Sequence, residues 1–143
     1  MKQPGRRTFM IASVFLFLVG CLHVYGQSIK ATDPGLLAIE ATQRAFHVPL
    51  GLGMAPSLMA IENSLSHTMS IFLLWLGGLG VLIGLSDASA QVLRRFTIMN
   101  IVGCGALVML FAHYRIPPPL VSLALVEMMF VLSLLRQAMR FKK

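Results

Sequence analysis

Four stretches of this sequence are apolar for about the length that crosses a bilayer, and that recurrence constrains the fold more than any other feature. They cover residues 9–25, 65–85, 96–112 and 117–135, each close to the roughly 20 residues a helix needs to span about 30 Å of hydrocarbon. The chain has 143 residues, of which 57% are hydrophobic and 12% charged. A soluble domain of that size has too little interior to hide so much apolar surface. The expected fold is therefore all-α: a single integral membrane four-helix bundle over 1–143. Its spans are expected at about 9–26, 57–85, 94–113 and 117–137, with one long loop at 28–56.

A formal charge of +7 would suggest nucleic acid in a soluble protein. In a membrane protein, Lys and Arg instead report which side each loop faces. Lys2, Arg6, Arg7, Arg94, Arg95, Arg136, Arg140, Lys142 and Lys143 fall on one side of the four spans; Lys30, Arg44 and Arg115 fall on the other. Both termini are thus expected in the cytoplasm and the long loop outside. Nucleic acid is not expected as a partner, and the basic ends suit anionic lipid headgroups. Cys21 and Cys104 both lie inside spans and form no C-x-x-C pair. Thiol–disulfide exchange, which needs paired accessible cysteines, is thereby set aside.

The first segment has a basic start followed by an apolar run. Arg6-Arg7 before Thr8-Phe9-Met10 resembles a twin-arginine export signal, and Leu18-Val19-Gly20-Cys21 resembles a lipoprotein cleavage box that would lipidate Cys21. The residues after Cys21 stay apolar and three more spans follow, so an uncleaved span is expected. Within it Ser13, Leu16, Gly20, His23 and Gln27 recur at spacings of three and four, which places them on one face turned into the bundle.

The loop holds a predicted short helix at 34–46, with Asp33 as cap, Pro34 in the first turn and a Glu40/Arg44 pair one turn apart. After it, HVPLGLGMAP is broken by Pro49, Gly51, Gly53 and Pro56 and is read as a connector across the mouth of the bundle. The second span is expected to begin at the cap Ser57. On its helical projection Glu62, Asn63, Ser66, His67 and Ser70 make one polar stripe, continued by Gly77, Gly80 and Gly84 as a helix-packing stripe that Gly20 would meet from the first span. Asp87 is expected to cap the third helix, in which Asn100 sits near the inner end.

A histidine in the outer half of the first span, a loop of about thirty residues, and then SLSHTMSIFLLWLGGLGVLIG resemble a group of small, uncharacterised four-span bacterial membrane proteins. The resemblance implies a four-helix bundle in the bacterial plasma (inner) membrane. It brings no activity and no catalytic residues.

The anomalous residue is Glu127. Eight residues past Pro119 at 1.5 Å each put it about 12 Å below the outer boundary, near the midplane, where an acid is costly and is expected to face the interior protonated or paired. The expected site is a polar pocket open outward, lined by Glu127, His23, His67, Asn63, Ser66 and Ser70. No catalytic residue, metal site or cofactor is assigned, because no nucleophile and base converge and no phosphate loop or zinc spacing occurs. The leading reading is a non-enzymatic accessory or interaction protein, acting as a homo-oligomer or with a membrane partner protein. One alternative is a small-solute or proton-coupled transporter using Glu127. The other is a haem-binding electron carrier using His23 and His67 as axial ligands.

Overall fold

The computed structural model describes residues 3–139. Over that range the chain forms five helices and no strand: α1 Arg6–Ser28, α2 Pro34–Ala45, α3 Leu58–Leu85, α4 Ala90–His113 and α5 Pro117–Ala138. All but α2 are long and apolar enough to cross a membrane, with mean hydropathy of 1.8 to 2.1 over their most apolar windows. The four fit a multi-pass membrane protein. We call the end with residues 3–5, the turn 86–89 and the close of α5 the termini end, and the opposite end the loop end.

Local chemistry accounts for most helix boundaries. The Asp33 carboxylate accepts from the backbone N–H groups of Gly35 and Leu36, at 2.8 and 3.1 Å, so α2 starts at Pro34. Ser57 accepts from Ala60 N–H at 3.2 Å and starts α3. For α4 the cap is Ser89, which accepts from Val92 N–H at 3.3 Å, and not the expected Asp87. The helix begins at Ala90 rather than near 94, because a cap hydroxyl must stand two or three residues before the N–H it receives, and Ser89 is so placed. At the far end of α4, Arg115 takes the left-handed conformation (φ 54°). Ile116 N–H bonds Phe111 carbonyl at 3.0 Å and Arg115 N–H bonds Ala112 carbonyl at 3.2 Å. This double closure turns the chain sharply, and Pro117 then supplies the preset φ that opens α5.

The segment expected to be a connector doubles back on itself as a small antiparallel ribbon held by isolated bridges, too short to form strands. Leu58 N–H bonds Phe46 carbonyl at 2.8 Å, Val48 N–H bonds Pro56 carbonyl at 2.9 Å and Leu50 N–H bonds Met54 carbonyl at 3.0 Å. The glycines and prolines that break a helix here serve a tight turn and ribbon positions that need no N–H.

The packing order is α3, α1, α5, α4: α1 lies against both α3 and α5, α4 lies mainly against α5, and α3 and α4 hardly touch although only residues 86–89 join them. Phe9 of α1 sits at the junction, edge-on to Phe96 of α4 with ring centroids 6.5 Å apart and tilted against Phe130 of α5 at 5.7 Å. Around it Ala12, Leu16, Leu73, Leu93, Leu123 and Val126 are buried. Burial in α1 stops at Gly20 and in α4 at Cys104. The shared core therefore runs from the termini end past mid-span, with Leu123 its buried member nearest the loop end on α5.

Candidate functional site

The α1–α3 seam is built on small residues. A Cβ on Gly77 would stand 2.5 Å from the backbone nitrogen of Phe17, and one on Gly20 would stand 3.0 Å from Leu74. Gly80 lies against Ser13, and Gly84 against Met10, where a Cβ would be 3.1 Å from the Met10 side chain. These glycines let the two backbones approach to a distance that side chains forbid, the geometry on which helix association in lipid depends.

That approach lets short polar side chains meet farther along the same seam. Gln27 Nε2 donates to Ser66 Oγ at 2.8 Å and to Ser70 Oγ at 3.1 Å, while Ser70 Oγ donates to Ser66 carbonyl at 3.0 Å. His23 Nε2 is 3.2 Å from Ser66 Oγ. The Ser66 hydroxyl has one proton and two lone pairs, so beside the bond it accepts from Gln27 it can either donate to His23 or accept from it, according to the imidazole tautomer. His23, Gln27, Ser66 and Ser70 thus form one interhelical cluster near the loop end.

The rest of the expected stripe goes elsewhere. Asn63 and His67 are exposed, and His67 Nδ1 donates to the carbonyl of Asn63 in its own helix at 2.6 Å. Glu62 accepts from Gln43 Nε2 of α2 at 2.9 Å. Neighbouring residues on a helix point about 100° apart, so a stripe of i and i+1 pairs divides among α1, α2 and the exposed side. In particular His23 is engaged on the α1 side of α3 and His67 is not, so the structure does not aim the two rings at one axial pair.

Glu127 is half-buried on α5, and its Oε1 would be 2.8 Å from a Cβ on Gly105 of α4. Glycine at 105 is what makes room for the carboxyl. Among the described residues no side chain or backbone N–H donates a hydrogen bond to it, His23 included. On α5, Phe130 packs against Phe9 of α1, Arg136 donates to Thr8 of α1, and Ser133 donates to Gly5 just before that helix. By helical rotation Glu127 points about 60° from Phe130, about 120° from Ser133 and about 180° from Arg136. Glu127 meets α4 at Gly105, while His23 meets Ser66 of α3, and no contact between the two is found among the described residues.

A second polar region was not anticipated from the sequence, although its signal is there. Thr97, Asn100 and Cys104 in α4, and Phe130, Ser133 and Gln137 in α5, recur at spacings of three and four, and all six are buried. Gln137 Nε2 donates to Thr97 Oγ1 at 3.0 Å and to Ser133 Oγ at 3.1 Å, and Ser133 Oγ donates to Gly5 carbonyl at 2.9 Å. Arg136 donates to Thr8 Oγ1 at 2.7 Å. Two buried acceptors, Asn100 Oδ1 and Gln137 Oε1, have no donor among the described residues. Close by, Arg6 donates to the carbonyls of Ser86 and Ala88 at 2.7 and 2.6 Å, tying the start of α1 to the α3–α4 turn.

Among the described residues no three His, Cys, Asp or Glu side chains gather as a metal site would require. Cys21 is exposed on α1 and Cys104 is buried in α4. A scan against protein-family models finds no match, and neither the curated proteins nor the solved structures yield one.

Proposed function

We propose that this chain is a non-enzymatic accessory protein of the bacterial inner membrane that docks a partner within the bilayer, through the α4–α5 face centred on Glu127 and Gly105. One observation carries the reading: each Gln, His, Ser, Thr, Asn and Arg side chain of the α1–α3 cluster and of the α1–α4–α5 network named above makes at least one hydrogen bond among the described residues, even where an oxygen of Asn100 or Gln137 lacks a donor, while neither oxygen of Glu127 accepts one and its carboxyl meets α4 at Gly105. A lone carboxyl at mid-depth is costly against lipid, and a donor supplied by another transmembrane helix removes that cost. The excess of Lys and Arg at the termini end supports a cytoplasmic location for both termini and an outward-facing loop.

The test is photocrosslinking in native membranes. A photoreactive residue at Met128 or Val131, both exposed on α5, should give a discrete protein adduct that Glu127→Leu reduces severalfold and Glu127→Gln preserves in part. Absence of any adduct from both positions overturns the docking reading.

The same unpartnered carboxyl supports a second reading, exchange of a proton for a small solute in an oligomer. Proteoliposome uptake abolished by Glu127→Gln would establish that reading in place of the first.

A further inference from the structure

We infer that the ribbon from Phe46 to Leu58 is a lipid-inserting finger, whose apolar face and Leu52 tip are immersed in the interfacial layer of the bilayer that the chain itself crosses.

Directly opposed residues of an antiparallel pair share a face. The hydrogen-bonded pairs Phe46 with Leu58, Val48 with Pro56 and Leu50 with Met54 therefore make one side of the ribbon wholly apolar. The other side carries the opposed pair His47 and Ser57, then Pro49 and Ala55. From Ala45 to Ile61 the chain has no Asp, Glu, Lys or Arg.

At the tip, Gly51, Leu52 and Gly53 have φ of 85°, 53° and 75°. Left-handed turn positions in water select glycine, asparagine or aspartate, because a larger side chain crowds the backbone and an apolar one meets solvent. Leu52 accepts both penalties and is 96% exposed. Phe46, Leu50 and Met54 are also more than half exposed. A two-stranded ribbon with such a face is marginal in water; Val48, Pro56 and Leu58 toward its root are half-buried, while Phe46 and the outer part of the face, Leu50, Met54 and the Leu52 tip, stay exposed among the described residues.

The position of the ribbon selects lipid as the cover. Helix α3 has 28 residues, hence a length of about 42 Å, close to the roughly 40–45 Å of a bilayer with its headgroup layers. A span of that length holds Leu58, the root of the ribbon, at headgroup level. Each five-residue arm of the ribbon reaches about 17 Å from there. An uncharged segment tethered at that depth, with aliphatic side chains on one face and at its tip, has the composition that partitions into the interface.

The experiment uses the full chain with its single tryptophan removed (Trp75→Phe) and one tryptophan introduced by Leu52→Trp, reconstituted in vesicles of phosphatidylcholine and phosphatidylglycerol. The expected result is blue-shifted emission, quenched severalfold more strongly by lipids brominated near the headgroup than the emission of an Ala55→Trp control on the opposite face. Water-like emission from Leu52→Trp, quenched by acrylamide as readily as the control, overturns the inference. So does shielding that develops only when a soluble protein fraction is added. If Leu52→Trp fails to insert and fold, Leu50→Trp on the same face gives the same two outcomes. The result is independent of Glu127, so either proposal can fail alone.

Discussion

Gly77 of α3 meets Phe17 of α1 backbone to backbone: a Cβ at 77 would lie 2.5 Å from the Phe17 nitrogen and 2.7 Å from its Cα. One residue on, a Cβ at Gly78 would lie 3.8 Å from the Phe17 ring, an ordinary contact. The two adjacent glycines are therefore unequal, and the difference is measurable.

Gly77→Ala forces the helices apart because its nearest obstacle is backbone, which has no rotamer to yield. Overpacking of this kind costs about 1–3 kcal/mol. Gly78→Ala should fall within about 0.5 kcal/mol of the parent chain. Reversible unfolding of both variants in bicelles, compared with the parent, checks the contrast; equal losses would remove Gly77 from its role as the close-approach point.

Within the termini-end network, Thr97 Oγ1 donates to Leu93 carbonyl at 2.7 Å while accepting from Gln137. Thr97→Val leaves the Gln137 amide with fewer partners and its Oε1 still orphaned. Gln137→Met removes the orphan together with its bonds, and Thr97 and Ser133 keep their own acceptors. Gln137→Met is thus expected to be the milder change, since an unsatisfied buried group costs more than a missing pair. A double-mutant cycle should return a coupling of about 0.6 kcal/mol, and no more than about 1.7, the range found for hydrogen bonds between membrane helices.

Ser66 and His67 are neighbours with opposite prospects. Ser66→Ala removes the hydroxyl shared by Gln27 and His23 and should cost about 1 kcal/mol. His67→Ala removes an exposed ring bonded to its own helix and should change stability by less than about 0.5 kcal/mol. The same unfolding measurement compares them, and a larger loss at His67 would show that its exposed face is covered by something outside this chain.

Much of the architecture was legible in the residues because it depends on local order. The face of Ser13, Leu16, Gly20, His23 and Gln27 follows from the helical repeat alone, and three of these are buried while the other two bond α3. Asp33 and Ser57 were recognisable as caps, and the Glu40/Arg44 pair closes at 3.8 Å, since each involves groups within one turn. The bridges of residues 46–58 are not legible in the sequence because Pro and Gly announce only that a helix stops. The cross-strand hydrogen bonds that follow are contacts between residues up to 12 positions apart, as in Phe46 with Leu58.

Sequence by itself thus determined that four helices are long and apolar enough to span a membrane, and which angle each polar residue takes around its own axis. Tertiary structure decided which neighbour stands at that angle. Helices α3 and α4 are adjacent in the chain yet hardly touch, and Glu127 meets Gly105 on the α4 side rather than His23 on α1. The periodicity of a helix specifies a direction in its own frame, and nothing local specifies the rotation and order in which four such frames pack; that is settled only where Gly77, Gly80 and Phe9 let particular backbones come close.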